Sequence, residues 1–207
     1  LEAGFRFFGD RSSFGVTAFF AERDDQQVDT SFQLDPNDPS TFVFFVDNAA
    51  SGRNLGLEFD GRWQLNEAWS VSGSLGLLDA EFDDFVSPEV DLSGRDQAHA
   101  PSYTAALGVR WQGQRGWFAS ADVTAKDEFF FSNSHDRVAG SQQIVNASFG
   151  FQAEQWQVSM WARNLFDERY ATRGFFFGNE PPDFAPTEYL RLGDPRQFGI
   201  SFEWAWE

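Results

Sequence analysis

The stretch W-Q-V-S-M-W-A-R, from Trp156 to Arg163, places residues of two different characters at alternate positions. One set is Trp156, Val158, Met160 and Ala162, and the other is Gln157, Ser159, Trp161 and Arg163. Successive side chains of a β-strand point to opposite faces, so this stretch predicts a strand with one apolar face. The same alternation returns in Q-F-G-I-S-F-E-W-A-W, from Gln197 to Trp206, after a long intervening segment.

The composition agrees with a protein made of many two-faced strands. The 207 residues include 26 Phe, 8 Trp and 18 Gly, yet the mean hydropathy is -0.42. A chain is rich in aromatic residues and hydrophilic on average when each strand has one apolar and one polar face. Alternation predicts about nine strands, at residues 2–8, 13–33, 41–65, 69–80, 103–111, 117–131, 145–152, 156–163 and 198–206. The sixth is expected to continue into Phe129–Phe131, and the third to bend near Ala49–Gly52.

The apolar faces of these strands predict that they cross a membrane. Each clear strand carries no charge on that face over about 9–11 residues, the length a tilted strand needs to span hydrocarbon. Tryptophans gather on the same face beside the short turns, as in an interfacial aromatic girdle. They are Trp63, Trp69, Trp111, Trp117, Trp156, Trp204 and Trp206. We therefore predict an all-β fold that is a portion of an antiparallel transmembrane β-barrel.

The connections between the predicted strands alternate in length. The short ones are G-D-R-S, N-E-A, Q-G-Q-R-G and E-Q, and the long ones are residues 34–40, 83–100, 133–140 and 171–188. Outer-membrane barrels have short periplasmic turns and long extracellular loops. The pattern therefore assigns the four long segments to the extracellular side.

Several other classes of protein are excluded or disfavoured. The chain has no cysteine, which excludes disulfides and thiolate metal sites, and its net charge of -17 argues against nucleic acid as a partner. The sequence contains no run of about 18 apolar residues, so it predicts no membrane-spanning helix. We find no nucleophile with a base partner, so we expect no enzyme activity, no cofactor and no metal site. A soluble β-sandwich that binds carbohydrate on its aromatic residues stays an alternative, although strands of about 11–20 residues are long for that fold.

The start of the chain predicts that further residues precede it. Single-chain bacterial barrels have an even number of strands, whereas about nine are predicted here. The first residues, L-E-A-G-F-R-F-F, read as the second part of a strand and lack the features of a signal peptide. We therefore expect residues 1–207 to be a fragment of a larger barrel.

Three sequence motifs resemble those of TonB-dependent outer-membrane receptors. They are N-L-F-D-E-R-Y at residues 164–170, G-D-P-R-Q-F-G at 193–199 and S-L-G-L-L-D-A-E-F at 74–82. The resemblance implies a barrel of about 22 strands with a plug and a TonB box, of which residues 1–207 are the C-terminal part without either. It implies active transport of a scarce ligand, such as a ferric siderophore or another metal chelate. A passive porin or adhesin-like barrel stays an alternative.

The resemblance also implies the partners of the protein. These are outer-membrane lipid and lipopolysaccharide, the TonB complex through the missing N-terminal part, the barrel assembly machinery, and a small-molecule ligand such as a metal chelate. The alternating aromatic residues at the C-terminal end resemble the signal that the assembly machinery recognises. They are Phe202, Trp204 and Trp206.

Two phenylalanine clusters at the extracellular ends of the strands predict a ligand-contacting wall. Three consecutive rings cannot all face lipid, because neighbouring side chains of a strand alternate between faces. The predicted ligand-binding residues are Phe129, Phe131, His135, Arg137, Arg173, Phe175, Phe176, Phe177 and Asn179. The arginines and Asn179 would orient an anionic or chelated ligand. For the phenylalanines the alternatives are an upper aromatic girdle or packing of the loops against one another, and for the histidines the alternative is solvation.

Overall fold

The computed structural model describes residues 1–35, 38, 41–86 and 91–206. The predicted loop at 34–40 and the acidic loop at 83–100 therefore lie partly outside the described residues. The strands are β1 Glu2–Phe8, β2 Ser12–Gln33, β3 Phe42–Gln64, β4 Trp69–Asp84, β5 Tyr103–Gln112, β6 Trp117–Lys126, β7 Phe129–Phe130, β8 Val138–Ala139, β9 Gln142–Gln152, β10 Trp156–Arg163, β11 Ala171–Phe177, β12 Thr187–Leu192 and β13 Gln197–Trp204.

Within the described residues, nine of these strands form one antiparallel sheet. Its order is β1-β2-β3-β4-β5-β6-β9-β10-β13. The remaining strands form two small hairpins, β7–β8 and β11–β12, at the end of the sheet opposite the short turns. In the described part of the chain the only helix is a 3-10 turn at Gln114–Gly116, and none is long and apolar enough to cross a membrane. The predicted nine-stranded antiparallel architecture is confirmed.

The predicted continuation of the sixth strand into Phe129–Phe131 is wrong. β6 ends at Lys126, and Asp127 leaves the sheet with its backbone N–H donating to the Tyr103 carbonyl. Phe129 and Phe130 then pair with Val138 and Ala139 in the β7–β8 hairpin. The chain leaves the sheet here because the loop has its own apolar cluster in which the phenylalanines are buried.

Two other predicted loops contain more strand than expected. The segment predicted as a loop at 171–188 contains all of β11 and the start of β12, which pair from Ala171 to Phe177 and from Thr187 to Leu192. Only its Gly- and Pro-containing tip connects the two strands. Asp83 and Asp84, predicted in a loop, end β4, where Asp83 lies 2.7 Å from Arg53.

The two faces of the sheet differ as the alternation predicts. One face exposes a continuous apolar surface, illustrated by Leu107 at the middle of β5, which is 50% exposed. Tryptophans form contacts along the short-turn end of this face, among them Trp69 with Trp111 at 6.4 Å between ring centroids. The other face is polar and contains the ion pair of Arg6 with Asp60 at 2.8 Å. Among the described residues nothing packs over this apolar face, which is the surface expected to contact lipid.

The buried residues of the described chain lie mainly at the long-loop end rather than between layers. One cluster consists of Val28, Ala50, Phe82, Phe85 and Leu92, where a loop packs on the ends of β2, β3 and β4. The predicted bend in the third strand coincides with a register shift between Ser51 and Gly52. A Cβ at Gly52 would lie 2.7 Å from the Glu81 carbonyl oxygen, so the close approach requires glycine. These contacts pack the loop residues Phe85 and Leu92 closely against the sheet at its long-loop end.

Candidate functional site

A second buried cluster organises the loop end beside β6. It consists of Phe129, Phe131 and Ala139, with Ala171 packed against it. The rings of Phe129 and Phe131 meet edge to face, with centroids 5.9 Å apart. The structure thus buries two of the residues that we predicted to contact a ligand. Their packing joins the β7–β8 loop to the first residue of β11.

Arg95 connects this loop to the preceding one. Its Nη2 donates to the carbonyl oxygens of Ser132 and His135, both at 2.9 Å. Its guanidinium lies 4.0 Å from the centroid of the Phe130 ring and pairs with Asp136 at 3.5 Å. The side chain is only 12% exposed. A planar guanidinium satisfies several acceptors in fixed directions, so Arg95 fixes the backbone around His135.

Three of the predicted ligand residues come together on the other side of this loop. The guanidinium of Arg137 lies 4.3 Å from the centroid of the Phe176 ring, and the His135 ring meets the same ring edge-on at 6.0 Å. His135 Nδ1 accepts a hydrogen bond from the Arg137 N–H at 3.3 Å. Burial, with the charges of Arg95 and Arg137, lowers the pKa of His135. The unprotonated Nδ1 that this bond needs is therefore favoured.

The remaining predicted residues of the last hairpin point elsewhere. Phe175 and Phe177 lie on the face of β11 opposite Phe176, and Phe177 contacts Tyr189 at 5.2 Å between centroids. Asn179 is exposed at the hairpin tip. Arg173 is paired in register with Arg191, and both line an open cavity of ≈ 300 Å³. The predicted set therefore divides into a buried pair, a cationic aromatic cluster and separate exposed residues.

Sequence analysis missed a lysine and a histidine next to this core. Lys126 places its Nζ 4.2 Å from the centroid of the Phe129 ring, and the His99 ring lies 5.4 Å from the same ring. Burial is the main cause that lowers the pKa of His99, and the positive charges of Arg173 and Lys126 lower it further. The solvated interpretation of the histidines is therefore incomplete, since both contact phenylalanine rings. The available signal was that Lys126 is the single lysine of the chain.

The motif N-L-F-D-E-R-Y anchors the last hairpin to the sheet. Asn164 is buried, and its Nδ2 donates to the carbonyl oxygens of Glu168 and Asp194 at 2.9 and 3.0 Å. Its Oδ1 accepts from the Glu168 N–H at 2.8 Å. Its own backbone N–H donates to Oδ1 of Asn146 on β9 at 3.0 Å. The Asn164 side chain thus joins the beginning and the end of the hairpin segment, and its backbone N–H joins both to β9.

The residues of this region determine which chemical groups it offers. Within the described residues, no group of three or more His, Cys, Asp or Glu is placed to hold a metal ion. The side chains that come together offer aromatic faces and positive charge, which attract π systems and anions. The predicted assembly signal lies at the other end of the sheet, where the Trp204 ring is tilted against the rings of Phe202 and Trp206.

Comparison with known proteins identifies relatives over most of the chain. The family model described as TonB dependent receptor-like, beta-barrel matches residues 1–165. The pesticin receptor of Yersinia pestis is 24% identical over 138 residues, which cover 65% of this chain and 20% of that protein. The chain therefore spans about a fifth of the length of this curated relative.

Solved structures share the fold at low sequence identity. The ferric yersiniabactin uptake receptor FyuA from Yersinia pestis superposes with a TM-score of 0.75 at 19% identity, over 97% of this chain and 28% of that chain. The siderophore receptor PiuA from Acinetobacter baumannii gives 0.69 at 15% identity, over 96% and 26%. Together with the family match, these findings confirm the resemblance drawn from the motifs. The chain belongs to the TonB-dependent receptor family, whose members are β-barrel proteins of the Gram-negative outer membrane.

Proposed function

We propose that the chain is the C-terminal part of the barrel of an active transport receptor. The receptor takes up a scarce ligand, such as a ferric siderophore or another metal chelate, and has no enzymatic activity of its own. The family match over residues 1–165 carries this proposal. It is supported by the names of two similar proteins, the pesticin receptor and the ferric yersiniabactin uptake receptor.

The cluster of His135, Arg137 and Phe176 is the part of the chain that we propose contacts the ligand. It lies at the long-loop end of the sheet, and its members come from two separate loops. A guanidinium and an aromatic face suit a planar, negatively charged chelating group. Arg173 and Asn179 are exposed on the same hairpin outside this cluster, and we propose them as further ligand contacts. The other proposed partners are membrane lipid, lipopolysaccharide, the TonB complex and the barrel assembly machinery.

Energised uptake of a metal chelate tests the proposed function. We expect that deleting the gene in its host abolishes uptake of radioactive iron supplied as at least one of ferric citrate, a ferric hydroxamate or a ferric catecholate. A protonophore should abolish the same uptake in the wild-type strain. Uptake that needs the gene but resists the protonophore would support the passive barrel instead. Unchanged uptake of all three chelates would contradict a role in iron transport.

Within the full-length receptor, replacing Phe176 or Arg137 by alanine should weaken uptake of that chelate. We expect about a tenfold rise in the concentration for half-maximal uptake, because a charge-assisted contact contributes about 1.5–3 kcal/mol. Phe198→Ala is the matched control, since Phe198 is 81% exposed on the apolar face. An unchanged half-maximal concentration in both variants, at normal receptor level in the membrane, would remove this cluster from the ligand site.

The membrane location predicts a difference between two adjacent positions on β5. Leu107 lies at the centre of the apolar stripe, whereas Ala106 is on the polar face, where its register partners are Ser74 and Thr124. Leu107→Arg should lower the free energy of unfolding in a bilayer by about 2–4 kcal/mol, and Ala106→Arg by much less. Urea unfolding of the full-length receptor in lipid vesicles measures both. Equal losses would mean that the apolar face does not contact lipid.

A further inference from the structure

We propose that the inner wall of the barrel has a second ligand subsite, in the cavity lined by Trp161 and Arg163, which takes a carboxylate group of the transported ligand. The cavity is open and has a volume of ≈ 330 Å³. The rest of its polar lining comes from β6, β9 and β13 and consists of Ser120, Asp122, Asn146, Ser148 and Ser201. The subsite rests on the proposed function for the source of the ligand, but its test measures binding alone.

Trp161 is the one tryptophan of the chain that does not belong to the predicted aromatic girdle. It alternates with Met160 and Ala162 of the apolar stripe, so it lies on the polar face of β10. Its register partners on that face are Ser148 of β9 and Gly199 of β13. In an outer-membrane barrel the residues that face lipid alternate with residues that face the interior. A ligand that passes through the barrel therefore reaches this cavity without entering lipid.

The indole ring of Trp161 lies across β13 in a fixed position. A Cβ at Gly199 would lie 2.6 Å from Cζ2 of the indole, so the ring occupies the space that a side chain at Gly199 would need. The indole N–H donates to Oγ of Ser201, two residues further along β13, at 3.0 Å. The guanidinium carbon of Arg163 lies 5.3 Å from the centroid of the same ring. The ring and the cation are thus placed side by side on the polar face.

The hydrogen bonds within the cavity leave donors available to a ligand. Oγ of Ser201 accepts from the indole, so the serine keeps its own hydrogen for another acceptor. The hydroxyls of Ser120 and Ser148 are 2.7 Å apart, so one donates to the other and the second keeps its hydrogen. Oδ1 of Asn146 accepts from the backbone N–H of Asn164 at 3.0 Å. Together with the N–H groups of the guanidinium, these hydrogens suit the oxygen atoms of a ligand.

The charges of the cavity favour a carboxylate. Among the described residues, none of the four ion pairs within 4.0 Å includes Arg163. A guanidinium holds both oxygens of a carboxylate in a bidentate pair. Asp122 also lines the cavity, where its carboxylate accepts from Nδ2 of Asn146 at 2.7 Å. Its negative charge repels a doubly charged phosphate more strongly than a singly charged carboxylate.

The subsite is tested by calorimetric titration of the purified full-length receptor with benzene-1,3,5-tricarboxylate, which joins carboxylates to a flat ring. The receptor is held in phosphatidylcholine nanodiscs at low salt. We expect saturable binding that Arg163→Gln weakens about tenfold or more, since it removes a charge-assisted contact. Asp122→Asn should instead strengthen binding about threefold, because it removes a like charge from the same cavity. Opposite effects of the two substitutions distinguish recognition of charge from a general disturbance of the wall.

Arg62→Gln is the matched control, because Arg62 is an exposed cation on the polar face of β3, where its register partners are Ser13 and Ser72. It should bind the probe like wild type, and the uncharged 1,3,5-trimethoxybenzene should not bind. Thermal unfolding of each variant verifies that it is folded.

Three results would overturn the subsite. They are no binding by the folded wild-type receptor, equal loss in the Arg62 variant, and equal binding of the uncharged probe. Weaker binding by Asp122→Asn would also contradict it, since the loss of Arg163 would then reflect a disturbed wall. A receptor that binds the probe but supports no uptake would contradict the proposed function and leave the subsite in place.

Discussion

Replacement of Asn164 by alanine is expected to lower the free energy of unfolding by about 3 kcal/mol. The side chain is 4% exposed and makes three hydrogen bonds, to the Glu168 N–H and to the carbonyl oxygens of Glu168 and Asp194. Each neutral bond contributes about 1 kcal/mol, and alanine leaves all three backbone partners without it. The measurement is urea unfolding of the full-length receptor in detergent, under conditions where refolding is reversible.

A local readout separates anchoring of the hairpin from general loss of stability. Trypsin cuts after arginine, and the hairpin carries Arg173 and Arg191. Asn164→Ala should increase cleavage at these two positions while the sheet stays intact. Asn164→Gly tests the backbone, because Asn164 has a φ of 46°, which glycine adopts without strain. If the glycine variant is as stable as wild type, the hydrogen bonds contribute little and the anchoring interpretation is wrong.

Asn179→Ala is the matched control for this substitution. Asn179 belongs to the same segment but is exposed at its tip. Its replacement should change neither the urea midpoint nor the rate of trypsin cleavage. Equal effects at Asn164 and Asn179 would show that the segment responds to any change of asparagine, and that burial is irrelevant.

The sheet was predictable from sequence because its determinants are local. In strands such as Trp156–Arg163, alternate side chains face either lipid or water. The alternation of apolar and polar residues therefore encodes the strand directly. The short turns and tryptophans such as Trp111 lie where the apolar stripes end, so the strand pattern predicts their positions as well. The motif N-L-F-D-E-R-Y was recognised as a family signature, but its role as an anchor depends on Asn146 and Asp194, which are 18 and 30 residues away.

The loop assembly was not predictable for the opposite reason. The hydrogen bonds of Arg95 reach 37 and 40 residues along the chain, to Ser132 and His135. No periodicity encodes such a contact, and a loop arginine usually remains solvated. The sequence of Phe129–Phe131 is the same whether the triplet continues an apolar strand or starts a separate core, so its pattern alone does not distinguish the two. The division of the candidate site into buried and exposed residues therefore needed the structure.

The second large effect is expected at Gly174, where any side chain should separate the last hairpin from the β7–β8 loop. A Cβ at this position would lie 2.3 Å from Cδ2 and 2.4 Å from Cε2 of Phe131. That ring is buried against Phe129 and has no space to move into, so Gly174→Val must displace the hairpin itself. Overpacking of this kind costs about 1–3 kcal/mol. We expect faster trypsin cleavage after Arg173, measured by mass spectrometry on the full-length receptor.

The cause of the Gly174 effect can be isolated by removing the ring that it contacts. In the double variant with Phe131→Ala, valine at 174 has space, so the two substitutions together should destabilise less than the sum of their separate effects. Gly140→Ala is the control, because a Cβ there meets no atom within 4 Å. Additive losses in the double variant would mean that Gly174 does not act through Phe131. A non-additive result would establish that Gly174 acts through this ring contact, which together with the Asn164 hydrogen bonds fixes the hairpin that places Phe176 beside Arg137.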